Sequence, residues 1–505
     1  MSDTPRPGGS GAGVRRLHRT GGGVARAPIL MVVLALLAVG GLVDRQAAPA
    51  APAAAALAPV PVAAPANALS SSWFCAGATD SAGGLAPGRV VVANAGSTVL
   101  DGTVTLIPTK GPVVRVPVSV APRSRRSVGE VVPGGTPWIG AVVKLDGGAA
   151  AVEQEIDSPL GESSDPCATS GSRQWYFAAG ATRVNAGVEI SLLNPYPTDA
   201  VVDLSFTTEQ GVEQPQQFQG VVVPAGRLTT IGLGSHLRRR TEIATTIVAR
   251  SGRVVAWKSD IVTPPAPGGA AADPPAPVAG VTVILGAPSP ATLWTWPDGV
   301  AGDGIDERYV IYNPGPGTAR VQLSLQLDQG SAEPFDLSVG PEQVTTVVAG
   351  QEARIPAGVA HAAVLRSTNG VPVVAERTVA ATAPSPRTGL GELFGGRVAA
   401  EGWLLAAGRA TAAYDQWVVL YNPGTEPVQA SIAALAGAST SPMPGLASLA
   451  IDPGGRLAVR VNAHVPHVAA ALEVLATGPV YAESDQYGTG STPGVGLSLG
   501  VPLTQ

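Results

Sequence analysis

The amino-acid sequence predicts an all-β protein built from tandem sandwich modules behind an N-terminal membrane segment. Three observations predict it. Gly (63) and Pro (47) together exceed a fifth of the 505 residues, too much for a helical protein and suited to short strands joined by turns. Apolar runs of strand length alternate with period two, and no amphipathic helix longer than three turns is visible after residue 70. One pattern of residues recurs four times along the chain.

The N-terminus comes first. Residues 1–26 carry Arg6, Arg15, Arg16, Arg19 and Arg26 against one acid, Asp3. Residues 27–43 are then apolar or small throughout, and 17 residues of helix span roughly 25 Å, slightly short of a hydrocarbon core. Such a run is either a short anchor or a signal-peptide core, with cleavage sites available after Gln46; the anchor is the reading adopted. The basic leader keeps the N-terminus in the cytoplasm and sends the bulk outside, which predicts a single-pass protein of the cell membrane. Residues 44–70 are dominated by Ala and Pro and read as an extended spacer.

Four segments then open with Trp and a small-residue, Gly-containing stretch, at Trp73, Trp175, Trp294 and Trp403. Each reaches an apolar strand ending in Asn: Asn94, Asn194, Asn313 and Asn422. The Trp-to-Asn spacing is 21, 19, 19 and 19. Three of the segments close on two apolar residues and Glu, as Ala151-Val-Glu153, Val374-Ala-Glu376 and Tyr481-Ala-Glu483, and the second has Val255-Ala-Trp257 there. These anchors set the modules at 71–168, 169–262, 281–383 and 401–490. A Pro-rich linker occupies 263–280, a second linker 384–400, and a tail 491–505. The Pro-rich linker predicts two pairs of modules and not one rigid array.

Within the second module, seven strand-like runs appear at 175–179, 188–193, 200–207, 216–223, 228–233, 243–249 and 253–259. Seven short strands in one such segment match an immunoglobulin-like sandwich. The Asn-Pro after the second strand is a turn signal, with Pro fixing φ and Asn capping the bend. The four Trp are expected to pack cores or junctions, with exposed sugar-stacking platforms as the alternative.

Chemistry is sparse. The two cysteines, Cys75 and Cys167, flank the first module, and in an exported chain they predict a disulfide. Asp298, Asp303, Asp306 and Glu307 share a Gly-rich loop, but their spacing fits no standard calcium loop, and no metal is assigned. His464 and His467 flank Pro466, which spoils a helical ligand pair, and His361 occupies the matching place in the third module; a surface or strand-start role is expected. Glu153, Glu376 and Glu483 are expected to pair with Arg or to face solvent, because one acid per module does not make a catalytic pair. No nucleophile elbow, phosphate loop or metalloprotease motif occurs. Net charge is −5 without long runs, which excludes a nucleic-acid partner, and no cofactor is implied.

The W-x-x-A-x-G opening, the L-x-NP strand end and the Val-Ala-Glu-Arg close resemble a bacterial extracellular repeat known only as a domain of unknown function. The whole chain resembles an actinobacterial family of single-pass exported proteins of that kind, over about residues 71–490. The first module departs from the pattern with Asn94-Ala-Gly, and the second with Trp257-Lys258. The resemblance implies no activity or catalytic residue. The function expected is non-enzymatic: a membrane-tethered binding or scaffolding protein of the cell envelope, accessory to envelope glycan assembly. A surface adhesin is the first alternative, and an envelope-polymer hydrolase or transferase the second. A cleft joining acids from different modules, such as Glu376 with Asp303 or Asp306, would point to the enzyme.

Overall fold

The computed structural model describes residues 60–80, 84–265, 278–328, 330–435, 441–465 and 469–503. The leader, the apolar run at 27–43 and most of the spacer lie outside the described residues. Among the described residues no helix is long and apolar enough to cross a membrane. They fold as strands and a few 3-10 turns, within one compact unit spanning Leu57–Gln505.

Seven antiparallel sheets form, none of them closed. The first repeat contributes two. One runs Ser71–Ala78, Ile139–Leu145, Leu100–Pro108, Val114–Val120 in spatial order; the other runs Ser124–Gly129, Gly88–Asn94, Ala150–Ser158, Gly161–Pro166. The second order recurs in the next repeat as Arg227–Gly232, Ala186–Asn194, Val255–Val262, Gly280–Leu285. It recurs again as Gln343–Val348, Ile305–Asn313, Val374–Ala381, Gly389–Phe394. In the fourth repeat the 18-residue strand Ala471–Gly488 passes through both layers and joins them into one nine-stranded sheet.

The recurrent residues build this frame. Asn94, Asn194, Asn313 and Asn422 are all buried. In each, Nδ2 donates to the carbonyl four residues on, at 2.8 Å (Thr98, Thr198, Gly317, Glu426), and to a carbonyl 26 to 29 residues on, such as Val223 at 2.9 Å. Oδ1 accepts the N–H two residues on. One side chain therefore ties a turn to a neighbouring strand, which only an amide with donor and acceptor ends can do. The four Trp are at most 2% exposed, so none is a sugar-stacking platform. Trp175, Trp294 and Trp403 donate Nε1 to Val254, Val373 and Val480 carbonyls at 2.8–2.9 Å. The Nε1 of Trp73 is buried without such a partner among the described residues.

Cys75 and Cys167 form the expected disulfide. At the matching places the other repeats set a large side chain against Gly: Phe177 with Gly286, Trp296 with Gly395, Leu405 with Gly500. A Cβ on Gly286 would come within 2.8 Å of Phe177, and one on Gly500 within 2.7 Å of Leu405. The bridge occupies the space that an aromatic or leucine side chain fills elsewhere.

Several expectations need correction. Gly280–Leu285 pairs antiparallel with Val255–Val262, so the Pro-rich stretch before it connects two strands of one sheet and does not divide the array. Gly389–Phe394, read as linker, pairs with Val374–Ala381, and Val495–Leu499, read as tail, pairs with the long fourth-repeat strand. The run 216–223 splits into a 3-10 turn at Gln216–Phe218 and a strand at Val221–Val223. The end of the spacer is docked and not free. Ala63 is buried, donates to the Pro502 carbonyl at 3.0 Å, and Ala64 accepts from Ala149 at 2.8 Å.

Candidate functional site

The four closing strands, Gly161–Pro166, Gly280–Leu285, Gly389–Phe394 and Val495–Leu499, lie side by side in that cyclic order around one axis, the last against the first. Their side chains bond across the boundaries. Val283 N donates to Ser163 Oγ at 2.9 Å, Leu285 N to Asp165 Oδ2 at 2.7 Å, and Thr282 Oγ1 to Glu392 Oε2 at 3.0 Å. The repeats therefore close into a ring with four junctions.

The Ala-Glu motif belongs to those junctions. Glu376 of the third repeat accepts the N–H groups of Ala178 (2.7 Å) and Ala179 (3.2 Å) in the second. Glu483 of the fourth accepts Asp298 N in the third at 3.2 Å. Glu153 of the first accepts Ala406 N (2.7 Å) and Ala407 N (3.0 Å) in the fourth. All three are buried, so solvent exposure is excluded; the Arg pairing holds for Glu483, 2.7 Å from Arg377. Burial pushes Glu153 up to about 8 against its two amide donors. It pushes Glu376 up to about 7 against Lys258. At the junction of the first and second repeats the motif position holds Trp257, and the acid is Asp165 of the closing strand, which accepts Leu285 N. There Trp257 is fully buried and Ser259 Oγ donates to Gly77 O at 3.0 Å.

One recess lies at the junction of the second and third repeats. It is a groove of about 360 Å³, with Arg183, Glu242, Asp260, Asp306, Arg308 and Glu392 on its walls. Behind its floor Lys258 sits 3.2 Å from Asp260, 3.1 Å from Glu376 and 3.0 Å from Glu392, and donates to Ala179 O at 2.7 Å. Burial, with Glu392 adding to it, holds the Asp260 carboxyl well above its ordinary range despite Lys258. This arrangement fixes one ammonium among three carboxyls and leaves a walled, mixed-charge recess, the form that small-ligand sites take. Lys258, Asp260 and Glu392 were not singled out in the sequence. The only signal was the departure Trp257-Lys258, since Glu392 lies on another repeat.

Two further buried ion clusters fill the next junctions. Arg377 meets Glu483 and lies 3.9 Å from Glu307. Arg409 meets Glu155 at 2.9 Å, Asp157 at 3.0 Å and Glu162. The loop acids do not converge on a common point. Asp298 pairs with Arg456; burial opposes its charge, but Arg456 and Arg377 hold it well below the usual carboxylate range. Asp306 is bound by Arg308 at 2.6 Å, and Asp303 is exposed. His464 Nδ1 lies 2.8 Å from the Pro444 carbonyl, and His467 falls outside the described residues. His361 does open a strand, but it is buried and not at the surface, with Nε2 2.9 Å from Tyr309 Oη and 3.3 Å from Glu307.

No curated protein matches the chain. Solved structures give partial likenesses. The crystal structure of Thermotoga maritima 1070 is 19% identical, covering 21% of this chain and 95% of that one, with a TM-score of 0.20. The Anabaena sensory rhodopsin transducer is 25% identical over 18% and 83%, with a TM-score of 0.16. Scores this low bear on neither fold nor function. Residues 147–388, from the end of the first repeat through the third, match the family described as "Family of unknown function (DUF5719)", in keeping with the domain-of-unknown-function resemblance carried by the Trp, Asn-Pro and Ala-Glu motifs.

Proposed function

We propose that this protein is a non-enzymatic, membrane-tethered scaffold of the cell envelope, made of four immunoglobulin-like modules closed into a ring. Its partner, an envelope protein or glycan, takes the groove between the second and third modules. The observation that carries the reading is how the recurrent residues are used. Trp, Asn and Glu are consumed in cores, turns and junctions, and Lys258 behind the groove floor is already held by three carboxyls. No Ser–His or Cys–His pair lines the groove among the described residues, and catalysis needs a nucleophile or base within reach of a partner. The basic leader and apolar run support export with the N-terminus inside. Photo-crosslinking from position 241 in intact cells tests it. A discrete envelope partner captured there, and not from a control position at Val99, is the expected result; equal capture from both sinks the groove assignment.

One observation favours a second reading, an envelope-polymer hydrolase. The groove gathers Glu242, Asp260, Asp306 and Glu392 from two repeats, and burial raises the Glu242 carboxyl. Against it, Asp260 and Glu392 are both engaged by the Lys258 ammonium, at 3.2 and 3.0 Å. Complete loss of the cellular phenotype in folded Glu242→Gln would make the hydrolase the better reading.

A further inference from the structure

A second recess lies on the ring axis, away from the groove. Where the closing strands end, the matching residues Pro166, Leu285, Phe394 and Leu499 of the four repeats border one cavity of about 110 Å³, with Trp294 and Trp403 beside them. Every repeat contributes one wall, so the cavity is a product of ring closure.

Into this apolar setting the third repeat brings Arg397. Counted from Gly395, Gly286, Gly500 and Cys167, the matching residues elsewhere are Pro288, Pro502 and Thr169. The frame therefore does not require a cation here. The guanidinium donates one bond, from Nη2 to Ser289 Oγ at 2.9 Å, and lies 5.6 Å from the centre of the Trp294 ring. Its Nε and Nη1 are buried without a hydrogen-bond partner among the described residues. No carboxylate forms an ion pair with it among them. Burial alone pushes it down to about 10, with no charged neighbour contributing. An acid does border the cavity, Asp165, but its carboxylate accepts Leu285 N, and burial holds it well above its ordinary range.

A desolvated guanidinium with unused donors is costly unless an anion meets it. Its planar fork suits a carboxylate best. The surrounding walls are apolar, and cavities of ~150 Å³ accept a molecule the size of benzene, so this one takes a short branched alkyl group. We infer that the axial cavity binds a small aliphatic carboxylate, its charge on Arg397 and its alkyl group against Leu285, Phe394 and Leu499. The inference stands apart from the groove and from whatever occupies it.

The test uses the full-length protein with isovalerate as probe, read by tryptophan fluorescence and by melting temperature. Isovalerate should give a saturable change in both. The uncharged isostere isovaleramide and inorganic phosphate should each bind at least tenfold more weakly. Arg397→Met should abolish the response and, without ligand, raise the melting temperature, because a half-buried charge without an ion-pair partner among the described residues has gone. Should that variant not fold, Leu499→Phe keeps the guanidinium and fills the cavity, and should block isovalerate equally. Equal binding of acid and amide, a phosphate response as strong as the isovalerate one, no saturation, or an unaltered response in folded Arg397→Met or Leu499→Phe would each overturn the assignment.

Discussion

The first junction of the ring and the other three solve the same packing problem with different side chains at the recurrent position. Between the first and second repeats Trp257 takes the recurrent position, a hydroxyl is donated to Gly77, and Asp165 accepts Leu285 N without a cation to back it among the described residues, beside a repeat stapled by its disulfide. At the others a buried carboxyl receives main-chain N–H groups from the neighbouring repeat, backed by Lys258, Arg377 or Arg409 nearby. A carboxyl specifies partner and register, because amides two residues apart would not meet it. It also couples assembly to protonation. At the first junction the acid is Asp165 on the closing strand, which accepts one amide and forms no ion pair among the described residues.

The sharpest way to break this contrast is Glu376→Ala. It orphans two amides and leaves Lys258 with one carboxyl fewer, so a loss of ~3–5 kcal/mol is expected, measured by urea unfolding of the purified chain. A loss under about 1 kcal/mol would mean that the carboxyl is dispensable to the junction. Next comes the disulfide. Cys75 and Cys167 are 92 residues apart, and paired Ser substitutions should cost up to about 4 kcal/mol in the chain-entropy model, read by the same titration. Because the ring is one compact unit, that loss should appear as a shift of the whole transition; an early phase confined to the first repeat would contradict the continuity of the junctions.

Acidity probes the buried carboxyls of the junctions. Glu153 is pushed up to about 8 and Glu376 to about 7 by burial. Unfolded glutamate titrates near about 4.3. Between these values the folded chain keeps protons that the unfolded chain has lost, so stability is full below about 4.3 and falls as pH rises towards 8. Each group contributes at most ~1.4 kcal/mol per pH unit. Thermal melts at pH 5 and pH 8 should show the decline, and Glu153→Gln should flatten it; an unchanged slope in that variant would remove Glu153 from the account. The smallest effect compares indoles. Trp175→Phe should cost about 1 kcal/mol more than Trp73→Phe, because only Trp175 forfeits a hydrogen bond, to Val254. Equal costs in parallel melts would show that the bond contributes nothing.

The frame of each repeat was legible because its anchors are chemically singular. An Asn at a strand end and a Trp at a strand start keep their identity whatever surrounds them. The closing strand was not legible. Gly161-Glu-Ser-Ser-Asp-Pro reads as a loop because its polar side chains face other closing strands and not water, so the usual alternation of apolar and polar residues is absent. The stretch before Gly280 misled for a related reason: proline marks a break in a strand, and hairpins break strands as surely as domain boundaries do. The groove was invisible because Lys258 and Glu392 are 134 positions apart, and no local spacing connects them.

The docking of Ala63 against Pro502 and Leu503 places the two ends of the folded body side by side. In such a body, chain order and spatial order are separable. A circular permutant opened in the connection between Val262 and Gly280, with residue 503 joined to residue 60 through a short flexible link, would keep all four junctions and every strand pair. It should melt within a few degrees of the parent. The ring has a cyclic order, and which repeat comes first in the chain is decided by where the chain enters it.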